Sequence, residues 1–397
     1  MAGIVAADAG FEWAGDTVPA YFHDFRGVQY HGTPVTNVFS SIEPAHLEFW
    51  PRAGDIAGFP FADAYASGDI FHEIHASQRA ISDQDTWVMY WEGDPALNAN
   101  REHPLGITVE QRTLQWEAPE GLQSMMIVVQ RLTNVTDLPV FRDTIVAAYF
   151  DGDAGAVPAD GWRIDSLFVG MGLDADVTTA FSNNYALLLP GIDVALAYNA
   201  SFTAPEFEYP GEIFYPPFLG NAPGLVATAL LHADADPATA SRPRTRVMSS
   251  TENPGSCAGL CDPLGPQLWR YLSGHWGELI DACNVADPMT TRACYQPTSP
   301  RDIRHYQSVG PYSLDAGESV TVVFALVAAP TADVPGLTIG GDNPPEAPSL
   351  TPGCNGEPIG TIAAAAGWLA TPVCTPQGEL LDPDRIETLP GSLLDRI

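Results

Sequence analysis

The chain has 397 residues, 45% of them hydrophobic, so it can bury a sizeable core and is not a disordered protein. Its 49 acidic residues outnumber 17 basic residues, all of them arginine, and the formal net charge is −32. This charge argues against nucleic acid and anionic lipid headgroups as partners, because both would be repelled. No apolar run is long enough to predict a membrane-spanning helix.

The N-terminal segment, residues 1–85, is rich in aromatic residues and carries Pro, Gly and Asp at short intervals. Such a composition favours short strands and packed loops over long helices or strands. We predict that residues 1–85 form an irregular segment that packs on the folded body of the chain.

Short strand-like segments then follow one another from Thr86 to Ala329. They are rich in β-branched and aromatic residues and are separated by turn residues, which is typical of antiparallel sheets. GITVEQRTLQWEA, for example, alternates apolar and polar residues as a strand with one solvated face does. The other predicted strands are TWVMYWEG, SMMIVVQRLTNVT, DTIVAAYFDGD, DSLFVGMGLDADV, NYALLLPG, DVALAYNASF, GLVATALLHAD and SVTVVFALVAA.

One segment departs from this strand pattern. Leu268 and Leu272 begin a run of apolar residues at four-residue spacing, so residues 263–283 are predicted to form one or two short helices. Residues 330–397 are predicted to form a linker, a cysteine-closed loop and a polar tail. The predicted fold class is all-β and mainly antiparallel, with one large β-sandwich or two adjacent ones over residues 86–329.

Six cysteines lie in the C-terminal part of the chain, in sequence rich in Pro and Gly. They are Cys257, Cys261, Cys283, Cys294, Cys354 and Cys374. An even number in this setting predicts disulfides that form in an oxidising compartment. We expect Cys354 to pair with Cys374 and the other four to pair among themselves. A zinc site is the alternative, but the spacings lack its typical Cys-x-x-Cys pairs.

Two Asp-x-Asp pairs are candidate calcium ligands. Asp151 and Asp153 lie in FDGDAG, and Asp174 and Asp176 lie in LDADV. This spacing brings two carboxylates into one loop, which suits the several oxygen ligands that calcium takes. Acidic turns in contact with solvent are the alternative interpretation. The weaker pairs of the same kind are Asp83/Asp85 and Asp234/Asp236.

Motifs for other chemistry do not occur in the sequence. Gly-x-Ser-x-Gly, the P-loop, Gly-x-Gly-x-x-Gly and Cys-x-x-Cys-His are all missing, so neither haem nor a nucleotide cofactor is predicted. Glu206, Glu208 and Glu212, in an aromatic loop, are the candidate carboxylates of a polysaccharide hydrolase. Asn134 and Asn199 each begin an Asn-x-Ser/Thr glycosylation sequence, which we interpret as coincidental.

Several blocks between residues 81 and 329 resemble large exported bacterial β-sandwich proteins of the kind often secreted by the type IX pathway. These blocks are SDQDTWVMYW, PLGITVEQRTLQW, DSLFVGMGLDADV, DVALAYN and RDIRHYQSVGPYSLDAGESVTVVFALVAA. The resemblance implies export and a β-sandwich fold, and it implies no activity. The sequence departs from the family pattern after Ala329, where no sorting domain is recognisable.

We therefore expect a non-catalytic extracellular or cell-surface protein with a structural or assembly role, such as a subunit of a filament, surface layer or larger surface complex. The periplasm is the alternative compartment. The expected partners are further copies of the chain or other surface proteins, with glycans as a further class. The alternative functions are a carbohydrate-binding surface protein and a polysaccharide-active hydrolase, since aromatic residues beside acids also line sugar-binding clefts.

Overall fold

The fold is described from a computed structural model of the chain. The structure describes residues 2–5, 19–21, 39–42, 80–91, 105–118, 122–174, 184–189, 193–199, 225–252, 261, 267–274, 292–295, 301–329, 371–372 and 386–387. The strands are β1 (Ala2–Val5), β2 (Pro19–Tyr21), β3 (Phe39–Ser40), β4 (Gln84–Trp91), β5 (Ile107–Gln115), β6 (Met125–Asn134), β7 (Ile164–Asp174), β8 (Asn184–Leu189), β9 (Val194–Asn199), β10 (Leu225–Ala233), β11 (Thr245–Glu252), β12 (Arg292–Ala293), β13 (Ile303–Leu314), β14 (Ser319–Ala329), β15 (Thr371–Pro372) and β16 (Ile386–Glu387). The helices are α1 (Pro139–Tyr149) and α2 (Gln267–Ser273), with 3-10 turns at Leu122–Ser124 and Ala154–Ala156.

The strands form two large sheets and one small one. The eight-stranded sheet has the order β3-β4-β5-β6-β14-β10-β9-β8, and the six-stranded sheet has the order β12-β11-β13-β7-β1-β2. Among the described strands, β11 and β12 form the one parallel pair. The predicted all-β, mainly antiparallel fold class is therefore confirmed. Neither helix of the described part of the chain is long and apolar enough to cross a membrane.

Three short strands fall within the predicted N-terminal segment, residues 1–85. β1 pairs with β7, and β2 extends the same sheet beyond β1. β3 pairs with β4 at the edge of the eight-stranded sheet. Backbone hydrogen bonds therefore join the described parts of this segment to both large sheets.

Side chains from both large sheets meet in one hydrophobic core. The eight-stranded sheet contributes alternate residues such as Val109 of β5, Leu132 of β6 and Phe324 of β14. The six-stranded sheet contributes residues such as Val169 of β7 and Val309 of β13. Alternation along a strand puts every second side chain on the same face, which is how the predicted period-two pattern forms this core. Full burial of one such side chain contributes about 1.5–3 kcal/mol.

Helix α1 stands where the sequence analysis predicted the strand DTIVAAYFDGD. Pro139 is the first residue of the helix, a position where its missing N–H removes no hydrogen bond. Phe141, Ile145 and Val146 are buried on one side of the helix and join the core. The four-residue spacing of Phe141 and Ile145 fits a helix, but the β-branched composition of the segment obscured it. The strand prediction was wrong here.

Helix α2 covers the face of β7 that points away from the core. Leu272 and Trp269 pack with Phe168 of that strand. A side chain at Gly170 would come within 2.6 Å of Leu272, so the glycine is needed for this close approach. The structure thus confirms a helix within the predicted segment 263–283, over the residues of α2.

Candidate functional site

The predicted calcium ligands do not form a group in the described part of the chain. Asp151 and Asp153 lie in the exposed turn after α1, where Asp153 Oδ1 accepts a 2.9 Å hydrogen bond from a backbone N–H two residues on. Asp174 ends β7 and pairs with Arg304, with 2.8 Å between Oδ2 and Nη2. Asp176 lies outside the described residues. No set of three or more His, Cys, Asp or Glu side chains that could hold a metal occurs among the described residues, and calcium binding stays a prediction.

The weaker Asp-x-Asp pairs instead hold backbone amides from distant parts of the chain. Asp83 Oδ2 accepts a 2.7 Å hydrogen bond from the segment that follows β5. Asp234 Oδ2 accepts a 2.7 Å hydrogen bond from Thr321 N, and Asp236 Oδ1 accepts one of 2.6 Å from Ser313 N. These carboxylates fasten turns to the sheets, a role that the spacing did not distinguish from cation binding.

Two of the six cysteines lie among the described residues. Cys261 forms a parallel bridge with Glu252, whereas Cys294 donates its backbone N–H to Met248 O at 2.8 Å. These contacts separate the two cysteines by roughly 10 Å along β11, beyond the Cα distance of about 7 Å that a disulfide spans. No disulfide therefore joins two described residues. The other four, Cys257, Cys283, Cys354 and Cys374, lie outside the described residues, so the pairing of the six cysteines stays a prediction.

A line of buried polar side chains runs along β13, between the two large sheets. We call it the polar seam, and its members are Asn134, Thr228, Thr245, His305 and Gln307. Each of them is at most 2% exposed. Polar groups at such positions require hydrogen-bond partners, because an unsatisfied buried polar group costs about 1–3 kcal/mol. The seam is therefore the feature of the described interior that needs a physical explanation.

His305 forms the first point of the polar seam. Its Nε2 lies 3.2 Å from Thr228 Oγ1, so the contact joins β13 of one sheet to β10 of the other. His305 is fully buried, and burial lowers the pKa of its imidazole from 6.5 to about 4. The ring is therefore neutral at neutral pH and serves as a cross-sheet hydrogen-bonding group.

Gln307 forms the second point, two residues further along the same face of β13. Its Nε2 donates to Asp193 O at 2.6 Å and to Thr245 Oγ1 at 3.1 Å. Asp193 precedes β9 of the eight-stranded sheet, so this contact also joins the two sheets. Burial raises the pKa of the Asp193 carboxyl, while Thr245 and Arg244 oppose the rise.

Asn134 forms the third point, at the far end of β13. Its Nδ2 donates to Trp162 O at 2.8 Å and to Leu314 O at 3.0 Å. Its Oδ1 accepts from Thr136 N at 3.1 Å and from Thr136 Oγ1 at 2.7 Å. Asn134 is 0% exposed, so it is closed to glycosylation in the folded protein. The Asn and Thr of the Asn-Val-Thr sequence therefore have a structural role in this group of hydrogen bonds. The side chain of the other candidate, Asn199, lies outside the described side chains.

The hydrogen bonds of the polar seam fix the two sheets relative to each other. The imidazole is the one titratable group of the seam, and it is shielded from solvent and held by Thr228. The burial of the seam could have been predicted from the sequence. His305 and Gln307 lie between Ile303 and Val309 at two-residue spacing, so all four side chains share the core-facing side of the strand. The sequence did not identify the partners that make these polar residues acceptable there.

No protein-family model matches this sequence, and no curated protein matches it. The resemblance to exported type IX β-proteins therefore stays a prediction. We therefore infer the function from the polar seam, the carboxylate contacts and the net charge of the chain.

Lowering the pH from 7 to 4 is expected to destabilise the protein through His305. The pKa of this group is about 4 in the folded state, against an ordinary value of 6.5. The unfolded chain therefore binds the proton first, and stability falls between pH 6.5 and 4 by up to about 3 kcal/mol. Urea unfolding of the wild type and of His305→Gln across this range measures the loss. Equal pH dependence in the two proteins would contradict the assignment.

Asp234 is expected to affect the stability of the protein over a separate, more acidic pH range. Burial alone would raise the pKa of its carboxyl, but hydrogen bonds from His232 and Thr321 lower it below 3.8. A lowered pKa stabilises the folded state above the unfolded value, and that stabilisation is lost as the pH falls below about 3.8. The effect of His305 is therefore measured above this window.

Removing the hydroxyl of Tyr312 is expected to leave stability unchanged or to raise it by about 1 kcal/mol, because the buried OH has no hydrogen-bond partner among the described residues. Burial, and then Asp234 and Asp236, raise the pKa of this phenol. Tyr312→Phe keeps the ring and deletes the OH. The matched control is Tyr271→Phe, which loses a 3.0 Å hydrogen bond to Cys261 O and should cost about 1 kcal/mol. A larger loss at Tyr312 than at Tyr271 in urea unfolding would show that the hydroxyl is satisfied.

Proposed function

We propose that this protein is a non-catalytic structural or assembly protein of the extracellular space or the cell surface. The observation that carries the proposal is the polar seam, whose buried side chains bond across the two sheets. A scaffold that transmits contacts between neighbours needs its layers fixed relative to one another, and hydrogen bonds of defined geometry provide this more specifically than apolar packing does. The interior is thereby committed to holding one arrangement of the sheets.

We infer further that the two large sheets are the layers of one β-sandwich. They share the core formed by β5, β6, β14, β7 and β13. Asn184 at the start of β8 and Arg301 just before β13 exchange backbone hydrogen bonds of 3.1 and 2.9 Å, which link the eight-stranded sheet to the six-stranded one at a corner. Both features support a layered body that resists shear.

The charge of the chain bears on how such bodies would associate. With a net charge of −32, two copies repel each other unless cations reduce that repulsion. Some described carboxylates are occupied by backbone amides or arginine, but others are exposed, such as Asp151 and Asp160. We propose that calcium lowers the repulsion and promotes self-association through carboxylates of this exposed kind. Export, with disulfides among the cysteines of the C-terminal part, belongs to the same proposal.

The test is the association state of the purified chain with calcium and with a chelator. Analytical ultracentrifugation over a wide concentration range is expected to show larger species in calcium, and electron microscopy is expected to show them as filaments or lattices. Sodium chloride at the same ionic strength is the control for simple screening. A chain that stays monomeric at high concentration with calcium present would overturn the proposed function.

The hydrolase alternative depends on the aromatic loop with Glu206, Glu208 and Glu212. This loop lies outside the described residues. Incubation of the protein with a panel of polysaccharides, followed by a reducing-end assay, decides this alternative directly. A glycan array decides in the same way for the carbohydrate-binding alternative.

A further inference from the structure

Two buried polar atoms of the polar seam have no hydrogen-bond partner among the described residues. They are His305 Nδ1 and Gln307 Oε1. Both residues are 0% exposed. Because the residues are two apart on one strand, their side chains leave the same face of β13, with roughly 7 Å between their Cα atoms. One ring nitrogen and one amide oxygen on the same face of β13 therefore have no partner among the described residues.

The remaining polar atoms of these side chains are already engaged. His305 Nε2 contacts Thr228 Oγ1, and Gln307 Nε2 donates to Asp193 O and Thr245 Oγ1. These contacts fix the direction of both side chains. The imidazole cannot turn its Nδ1 to another partner without losing Thr228, and the amide cannot turn its oxygen without losing two hydrogen bonds.

The surroundings of the two atoms determine what they can bind. In the registers of β13 with its neighbours, Ser250 and Leu173 lie opposite His305, while Met248 and Met171 lie opposite Gln307. None of these four side chains carries a charge. An ion would therefore lack a counter-charge from these neighbours and would be strongly penalised in this interior. The ligand that fits is small, neutral and able both to donate and to accept a hydrogen bond.

We propose that His305 Nδ1 and Gln307 Oε1 hold one ordered water molecule between the two sheets. The water donates one hydrogen to Gln307 Oε1. With His305 Nδ1 it either donates its second hydrogen or accepts, according to the tautomer of the ring. Buried waters in proteins commonly satisfy polar groups of this kind, and such a water makes about three hydrogen bonds. This inference is independent of the proposed function, because it concerns the interior of the fold alone.

A crystal structure of the full chain at high resolution tests the proposal directly. The expected result is an ordered water within hydrogen-bonding distance of both His305 Nδ1 and Gln307 Oε1. A direct contact between the two side chains, or a water that touches only one of them, would overturn it.

A double-mutant cycle in solution gives a second, independent measurement. His305→Gln keeps a donor and acceptor near Thr228 but removes the group at the Nδ1 position, and Gln307→Met removes the amide. Each single change is expected to raise the equilibrium constant for unfolding by about 5–30-fold. If one water bridges the two residues, the double variant loses clearly less than the product of the two single effects.

The matched control cycle combines His305→Gln with Arg163→Met. Arg163 adjoins Ile164, which pairs with Leu314 at the opposite end of β13 from His305, so these two effects should multiply to within about twofold. Multiplicative effects in the first cycle as well would contradict a shared water. Where a variant does not fold, the crystal structure of the wild type still decides.

Discussion

Replacing Arg112 by methionine is expected to lower the free energy of unfolding by about 3–5 kcal/mol, because the change leaves the buried Asp85 carboxylate without its counter-charge. The two side chains are 2% and 0% exposed. Arg112 Nε donates to Asp85 Oδ2 at 3.0 Å, and a terminal guanidinium nitrogen contacts the same oxygen. Asp85 also accepts hydrogen bonds of 2.8 and 2.9 Å from Ile81 N and Ser82 N. The carboxylate thus holds the turn before β4 as well as the arginine on β5.

Urea unfolding of Arg112→Met, Asp85→Asn and the double variant measures the coupling of the pair. The double variant should lose less than the sum of the single changes, because it leaves no uncompensated charge. The matched control is Arg163→Met, which removes partly exposed ion pairs with Asp165 and Asp315 and should lower the free energy of unfolding by about 0–1 kcal/mol. If Arg112→Met lowers the free energy of unfolding by no more than this control does, the buried ion pair does not stabilise the folded protein as expected.

The sheets were predictable from the sequence, because the relevant signal is local. β5 falls within a segment where apolar and polar residues alternate and β14 within a nearly continuous apolar run, and alternate residues of both strands form the core. Helix α1 was not predictable by the same argument. Its β-branched residues favour strands in general, and the packing of Phe141 and Ile145 against the core overrides that preference.

The roles of the polar residues were not predictable, because they depend on partners far away in the chain. Thr228 and Asp193 are 77 and 114 residues from the seam residues that they contact. Asp83, Asp85, Asp234 and Asp236 share the spacing of a cation site, yet the sequence does not show which backbone amides will approach them. A short sequence motif shows which polar side chains are present, but the folded structure determines which groups they bind.

Replacing Asn134 by aspartate is expected to destabilise the protein by about 3–5 kcal/mol, and by more than replacement by alanine does. The aspartate has nearly the same shape, but it puts a negatively charged oxygen where Nδ2 now donates to the carbonyls of Trp162 and Leu314. Alanine leaves those carbonyls unsatisfied and opens a small cavity, whereas aspartate adds electrostatic repulsion in a site that is 0% exposed. Urea unfolding at neutral pH measures both changes.

A comparison of the stability lost in Asn134→Asp and in Asn134→Ala separates the effect of the Nδ2 donor from the effect of side-chain volume. Gln115→Glu, an amide-to-acid change on an exposed position of β5, is the control and should alter stability by no more than about 0.5 kcal/mol. Should aspartate prove no worse than alanine, donation from Nδ2 to the carbonyls of Trp162 and Leu314 would not be what stabilises this end of the sheets. If aspartate is clearly worse, one amide nitrogen joins the end of β6, the segment before β7 and the end of β13. The two sheets are then held at this end by the polarity of a single side chain, since a group of equal size and opposite hydrogen-bonding character cannot replace it.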